Sequence, residues 1–246
     1  MPQYFLFHSN QLLLDANNSV PLSVSEKIDT MPFCIDDGVE CLCANVDVIP
    51  VGLHPTDLRS SYDILPLTDY LRAGKAAELI YWHTNHRYCS FCGGLLQWKT
   101  VISKRCPKCG KEWWPQLSPA IIVLIHRGEE ILLVRSRNFK GTFWGLVAGF
   151  IEFGESVEEC VKREVREETQ ISISDLQYFG SQPWPYPQGL MLGFTAAYAG
   201  GEIHIQQSEL KEGAWFSIHH LPEIPKPLSM ARKLIDNYIA NFDSRG

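Results

Sequence analysis

The sequence predicts an α/β protein: a small β-rich N-terminal part, a short cysteine-bearing ribbon, and a larger C-terminal domain of strands and helices. Three observations point there. The near-continuous apolar runs AIIVLIH (120–126) and EILLVRS (130–136) fit strands of a sheet covered on both faces. Ser156 followed by Glu159 is a capping box, so a helix opens near Val157. Cys89 and Cys92, then Cys106 and Cys109, form two C-x-x-C knuckles separated by thirteen residues, the spacing of a zinc ribbon.

Composition narrows the class. A chain of 246 residues and ordinary hydrophobicity holds one large domain or a few small ones, expected here at 1–84, 85–115 and 116–246. No apolar run reaches membrane-spanning length, and the N-terminus lacks the basic-then-apolar pattern of a signal peptide. A formal charge of −6 without a basic tail argues against a binder of duplex DNA, which needs a cationic face. Four of the eight cysteines sit in the knuckles, which metal explains better than disulfides, so a reducing, cytoplasmic compartment is expected.

Taken in order, residues 1–71 read as short strands, YFLF (4–7), QLLL (11–14) and VECLCANVDVIPV (39–51), with turns at Asn17-Asn18 and Asp36-Asp37-Gly38. Cys34, Cys41 and Cys43 are read as small buried hydrophobes in preference to a second metal site. This first part is expected to be structural or dimerising. From Gly74, Ala76, Ala77, Leu79, Ile80 and His83 recur at helical spacing. His83 and His86 lie beside the first knuckle, but four thiolates already fill a tetrahedral zinc shell, which leaves the imidazoles to packing. The ribbon is either a staple for a segment too small to own a core or a nucleic-acid contact; the staple is the preferred reading.

After the two apolar strands, FWGLVAGF (143–150) brings glycines that let the backbone approach a phosphate or an ion. The helix that follows places Val157, Cys160, Val161 and Val165 on one apolar stripe. Glu164 and Glu168 fall inside that stripe and Glu167 at its edge, while Glu159, Lys162 and Arg166 take the wet face. Carboxylates on a packed face are costly unless a cation meets them, and Mg²⁺ or Mn²⁺ is the hard ion that suits several of them. SQPWPYPQGLM (181–191) alternates prolines with aromatics and reads as a stiff loop. LGFTAAYAG (192–200) and EIHI (202–205) read as strands, and an amphipathic helix over 230–242 turns Leu234, Ile235, Tyr238 and Phe242 inward.

The stretch 149–171 resembles the Nudix box, G-x5-E-x7-R-E-U-x-E-E-x-G-U with U a bulky aliphatic residue. The matching residues are Gly149, Glu155, Arg163, Glu164, Val165, Glu167, Glu168 and Ile171, and Gln170 stands where the family has glycine. SQPWPYPQG is similar to the SQPWPFPxS signature of the NADH pyrophosphatase branch of that family, with Tyr186 for Phe and Gly189 for Ser. With AAELIYWHTNHRYCSFCGG, the four-cysteine ribbon, WWPQLSPAIIVLI and the ARKLI helix, the resemblance runs over nearly the whole chain.

The resemblance implies an α/β/α sandwich with a mixed sheet, and hydrolysis of NADH or NAD⁺ to nicotinamide mononucleotide and AMP, extending to removal of NAD caps from RNA. It implies one structural zinc per chain on Cys89, Cys92, Cys106 and Cys109. The catalytic Mg²⁺ or Mn²⁺ would be held by Glu164, Glu168, Glu209 and the Ala148 carbonyl, with Arg163 orienting the acids. Glu168 or Glu167 would be the base. Substrate contacts would come from Trp114, Gln182, Pro183, Trp184, Pro185, Tyr186, Pro187, Gln188, Gly189 and Ala231, with Phe150 and Trp114 able to stack on a base. The family is dimeric, both chains building the site. The competing reading is a zinc-ribbon RNA-binding regulator on a Nudix scaffold; carboxylates on an apolar stripe argue against it.

Overall fold

The computed structural model describes residues 1–36, 38–137 and 141–244. It divides into two compact units, Met1–Leu117 with Trp184–Gln188, and Ser118–Pro183 with Gly189–Gly246.

In the first unit β1 (Gln3–His8), β2 (Gln11–Leu14), β3 (Met31–Asp36), β4 (Val39–Asn45) and β5 (His54–Thr56) form one sheet in the order β3-β4-β1-β2-β5. β1 runs parallel to β4, and its other pairing is antiparallel. Leu6, Leu13, Ala44 and Val46 make its core. β3 and β5 lie in stretches the sequence left without strands, and β4 stops at Asn45 instead of running to Val51. Pro50 has no N–H for a ladder and Gly52 turns at φ +84°, so the chain bends there. Cys41 and Cys43 are buried within β4, as small hydrophobes would be. Of the second expected turn, Asp37 lies outside the described residues.

α1 spans Leu67–Asn85, beginning well before Gly74. Pro66 stands at its N-cap, and a proline disfavours helix in the residue before it, which sets the start. Gly74 instead lies buried mid-helix, where a side-chain carbon would meet Pro185 Cγ at 3.0 Å. The ribbon follows as a three-stranded sheet of β6 (Gln97–Thr100), β7 (Ser103–Arg105) and β8 (Glu112–Trp113). From β7 the buried Lys104 donates its Nζ to the carbonyls of His83 (3.1 Å) and His86 (2.8 Å) at the end of α1. That cation on orphan C-terminal carbonyls fixes the ribbon to the helix.

The second unit is a mixed sheet between two helices. β9 (Ser118–Arg127), β10 (Glu130–Ser136), β11 (Val147–Phe150), β12 (Ser172–Trp184), β13 (Gly189–Gly200) and β14 (Leu210–Ser217) lie in the order β12-β13-β9-β10-β14, with β11 also on β9. β13 is parallel to β9 and the β10 and β11 pairings are antiparallel. Alternation along β9 separates the two faces. Ile121, Val123 and Ile125 pack with Cys160, Val161 and Val165 of α2 (Val157–Thr169). Ile122 and Leu124 pack with Met230, Ala231, Leu234 and Ile235 of α3 (Met230–Asp243). Apolar residues on both strand faces are what a sheet covered by helices on both sides requires.

Two further expectations need correction. The proline segment is not wholly a loop: β12 continues through Pro183 to Trp184 and β13 resumes at Gly189. β12 is an edge strand, where a missing N–H costs no ladder bond. Residues 202–205 form no strand, because the N–H of His204 goes to Thr169 O (3.0 Å) and that of Gln206 to Glu168 O (2.9 Å). Among the described residues no helix is long and apolar enough to cross a membrane.

Candidate active site

α2 begins as its sequence demands. Ser156 Oγ accepts from the N–H of Glu159 (3.2 Å) and the Glu159 carboxylate accepts from the N–H of Ser156 (2.7 Å), which closes both halves of the capping box. The apolar stripe turns into the core, and it carries Glu164 (8% exposed) and Glu168 (5% exposed) with it. Glu167 and Arg166 stay exposed.

Arg163 organises the acids. Its Nε donates to Glu155 Oε2 (2.9 Å) and its Nη2 to Glu155 Oε1 (2.7 Å) and to the Phe150 carbonyl (3.0 Å). Its Nη1 donates to Glu164 Oε1 (2.8 Å) and Glu167 Oε2 (3.1 Å). The Arg163 fork, then the N–H of Glu152, hold Glu155 down to about 2. Opposite α2, β11 passes Gly149 so close that any side-chain carbon there would overlap the Glu164 carboxylate. Glycine at 149 is thus a steric condition of the buried acid. Ala148 is exposed on the same strand, paired opposite Ile122.

Glu168 is the group left without a partner. Its Oε2 is buried with no hydrogen bond among the described residues. Burial, then the charges of Glu164, Glu209 and Glu167, push its pKa up to about 8. Burial likewise raises Glu164, against the pull of Arg163. Glu209 reaches this company because the N–H groups of His204 and Gln206 bind the last carbonyls of α2, and Gln206 O then accepts from the N–H of Glu209 (3.0 Å). A buried, unpartnered carboxyl that feels the charges of three other acids fits a divalent cation, since that charge relieves both the desolvation and the repulsion.

Gln170 takes the left-handed conformation (φ 61°, ψ 8°) and caps α2 through its N–H to Arg166 O (3.0 Å). The geometry of the missing glycine is kept, at the strain a side chain brings to φ > 0.

Of the expected substrate residues, Phe150 and Trp114 carry exposed rings and Ala231 is buried in the first turn of α3, against the sheet. Gln182 is buried, its Nε2 donating to Leu228 O (2.8 Å) and its Oε1 accepting from Lys233 Nζ (3.2 Å). Trp184–Gln188 belongs to the first unit. There the Arg59 guanidinium lies 4.5 Å from the Tyr186 ring centre and 5.2 Å from that of Trp184, and the Tyr186 and Tyr70 hydroxyls meet at 2.7 Å. Arg59 and Tyr70 carried no signal in the sequence, since nothing local to either announces a partner so far along the chain. Glu155 did carry one, its place in the box.

The four knuckle cysteines bring one sulfur each within 4.8 Å of all the others, the group of this kind among the described residues. Cys92 and Cys106 sulfurs are 3.4 Å apart and those of Cys89 and Cys109 3.7 Å, near the ~3.8 Å edge of a tetrahedron with ~2.3 Å zinc–sulfur bonds. The knuckles close alike: the N–H of Cys89 binds Gly94 O and that of Cys106 binds Lys111 O, each 2.8–2.9 Å. Gly93 (φ +70°) and Gly110 (φ +75°) make the left-handed turns that this needs. His83 packs flat on Trp98 at 5.0 Å and stands outside the thiol group.

The NUDIX domain family model matches residues 116–238, half of the chain. The chain is 46% identical over 174 residues to a Pseudomonas fluorescens (strain Pf0-1) protein named NAD-capped RNA hydrolase NudC, covering 70% of this chain and spanning 63% of that relative's length. It is 47% identical over 192 residues to the protein of that name from Pseudomonas entomophila (strain L48), covering 77% of this chain and 67% of the relative. In fold it is similar to the crystal structure of a NUDIX hydrolase from Nitrosomonas europaea, with TM-score 0.53 at 20% identity over 65% of this chain and 92% of that one.

Proposed function

The chain belongs to the Nudix family, and from that premise we propose that it hydrolyses the pyrophosphate of NADH or NAD⁺ to nicotinamide mononucleotide and AMP, and removes NAD caps from RNA 5′ ends. The observation that carries this is the buried, unpartnered Glu168 carboxyl under the charges of Glu164 and Glu209. An RNA-binding regulator on the same scaffold would have no use for it.

Glu164, Glu168, Glu209 and the Ala148 carbonyl are the groups proposed to hold Mg²⁺ or Mn²⁺. That cation, when bound, neutralises the phosphate oxygens and acidifies water. Glu168 takes the proton of the attacking water, with Glu167 as its alternate. Water oxygen joins one phosphorus, the bridging anhydride bond breaks, and the other mononucleotide leaves as its phosphate. Arg163 keeps Glu164 and Glu167 in place through its fork. Phe150 and Trp114 offer exposed faces to flat bases, while Trp184, Tyr186 and the rest of 182–189 recognise the half of the substrate beyond the cleaved bond. Ala231 belongs to the same proposed set. The ribbon is proposed to hold one structural zinc per chain.

A homodimer and a cytoplasmic setting complete the reading, as do separate modules at 1–84, 85–115 and 116–246. Cysteines paired in two C-x-x-C knuckles, a metal-binding pattern, suit a reducing compartment. The test is side-by-side release of AMP from NADH and of uncapped RNA from NAD-capped RNA, with each ion. Release of neither product with either ion would end the proposal.

A further inference from the structure

The chain segregates its charge. Residues 85–115 hold six Lys and Arg against one acid, a formal +5 within a chain of −6, which leaves −11 for the rest. Four thiolates around a divalent metal would still leave the ribbon at about +3. Lys104 is spent on α1, but Arg87, Lys99, Arg105, Lys108 and Lys111 are exposed. Lys99 pairs with Glu112, an exposed contact that solvent and other anions can exchange.

Large rings stand among these cations. Phe91 is 69% exposed and Tyr88 62% exposed, with Lys111 Nζ 4.3 Å from the Phe91 ring centre. Trp98 is backed by the His83 ring at 5.0 Å and 11°. It lines a cleft of about 320 Å³ together with Lys99, Arg105 and Pro107. Arg105 Nε also donates to the Gly110 carbonyl of the second knuckle (3.3 Å), but a staple needs only the four sulfurs and the knuckle turns, and it has no use for the other exposed cations interleaved with exposed aromatics. Cations spaced along exposed rings are the chemistry that holds a flexible polyanion with flat bases. A duplex, whose bases are hidden, would leave the rings idle.

We propose that the ribbon binds single-stranded RNA, the chain that follows the cap in a capped substrate and that free dinucleotide lacks. This rests on the reading of capped RNA as a substrate. The test compares wild type with Arg105→Ala/Lys108→Ala/Lys111→Ala, accepted once zinc content and circular dichroism match. The ratio kcat/KM for a NAD-capped RNA with an unpaired 5′ end should fall by about tenfold or more, its salt slope flattening by about 2, while that for NADH stays within about twofold. A second arm measures anisotropy of an uncapped single-stranded oligoribonucleotide, which needs no hydrolysis. Binding by wild type and loss in the variant supports the ribbon even if capped RNA is not cleaved; equal binding overturns it. Phe91→Ala should weaken the same binding if the triple variant loses its zinc. Parallel loss on both substrates, equal affinity for a duplex, or a variant that turns monomeric while wild type is dimeric would each refute the proposal, the last making this face a subunit contact.

Discussion

Arg163 grips Glu155 with two parallel hydrogen bonds, Nε to Oε2 at 2.9 Å and Nη2 to Oε1 at 2.7 Å. The same guanidinium orients Glu164, so the pair ties the turn before α2 to the acids on it. Lysine has charge but no fork. Arg163→Lys should keep its fold and lose about a hundredfold in kcat, the scale of a 1 Å misplacement. Steady-state kinetics beside a melting curve decide it; wild-type turnover would show the fork is not needed.

The pair also sets a pH dependence. Glu155 titrates near 2 in the folded chain against an ordinary 4.5. A depressed acid stabilises the fold fully above its unfolded pKa, and the contribution fades as pH falls from 4.5 toward 2. The stability gap between wild type and Glu155→Gln should be flat above that window and shrink within it. Urea titrations at several pH values measure the gap; a pH-independent one contradicts the assignment.

Glu168→Gln keeps the shape of a buried side chain whose ionised form burial and the neighbouring acids disfavour. It should fold at least as firmly as wild type and lose about 10²–10⁴ in turnover. Near-normal AMP release would take Glu168 out of the mechanism.

Metal analysis of the purified protein should find one zinc per chain, on the thiols that meet within 4.8 Å. Cys89→Ser, or a chelator, should lower the melting temperature of the first unit before it touches chemistry. Folded protein free of zinc would defeat the staple.

Trp184 and Tyr186 sit beside Arg59 with their loop stiffened by three prolines, so they lose little entropy on gripping a ring. NADH should be preferred to ADP-ribose, whose second half has no base, and Trp184→Ala should cut that preference about ten- to a hundredfold. If wild type treats both substrates alike, the loop does not select dinucleotides.

Gln170→Gly should relieve the left-handed cap and add about 1 kcal/mol of stability with activity unchanged. A denaturation midpoint that fails to rise would mean that the side chain makes a compensating contact.

What the sequence determined by itself is what depends on neighbours in the chain. The capping box spans three residues, the acid-bearing stripe a few turns, and each knuckle five residues, so α2, its buried glutamates and the thiol group were all legible. Only tertiary structure decided the parallel pairing of β1 with β4, the edge position that lets β12 run through Pro183, and the loss of a strand at 202–205 to the carbonyls of α2. It alone set Tyr70 and Arg59 against Tyr186, and Lys104 beneath the end of α1. These depend on which distant backbone groups and side chains compete for one another, and a local pattern of polar and apolar residues carries no record of that competition.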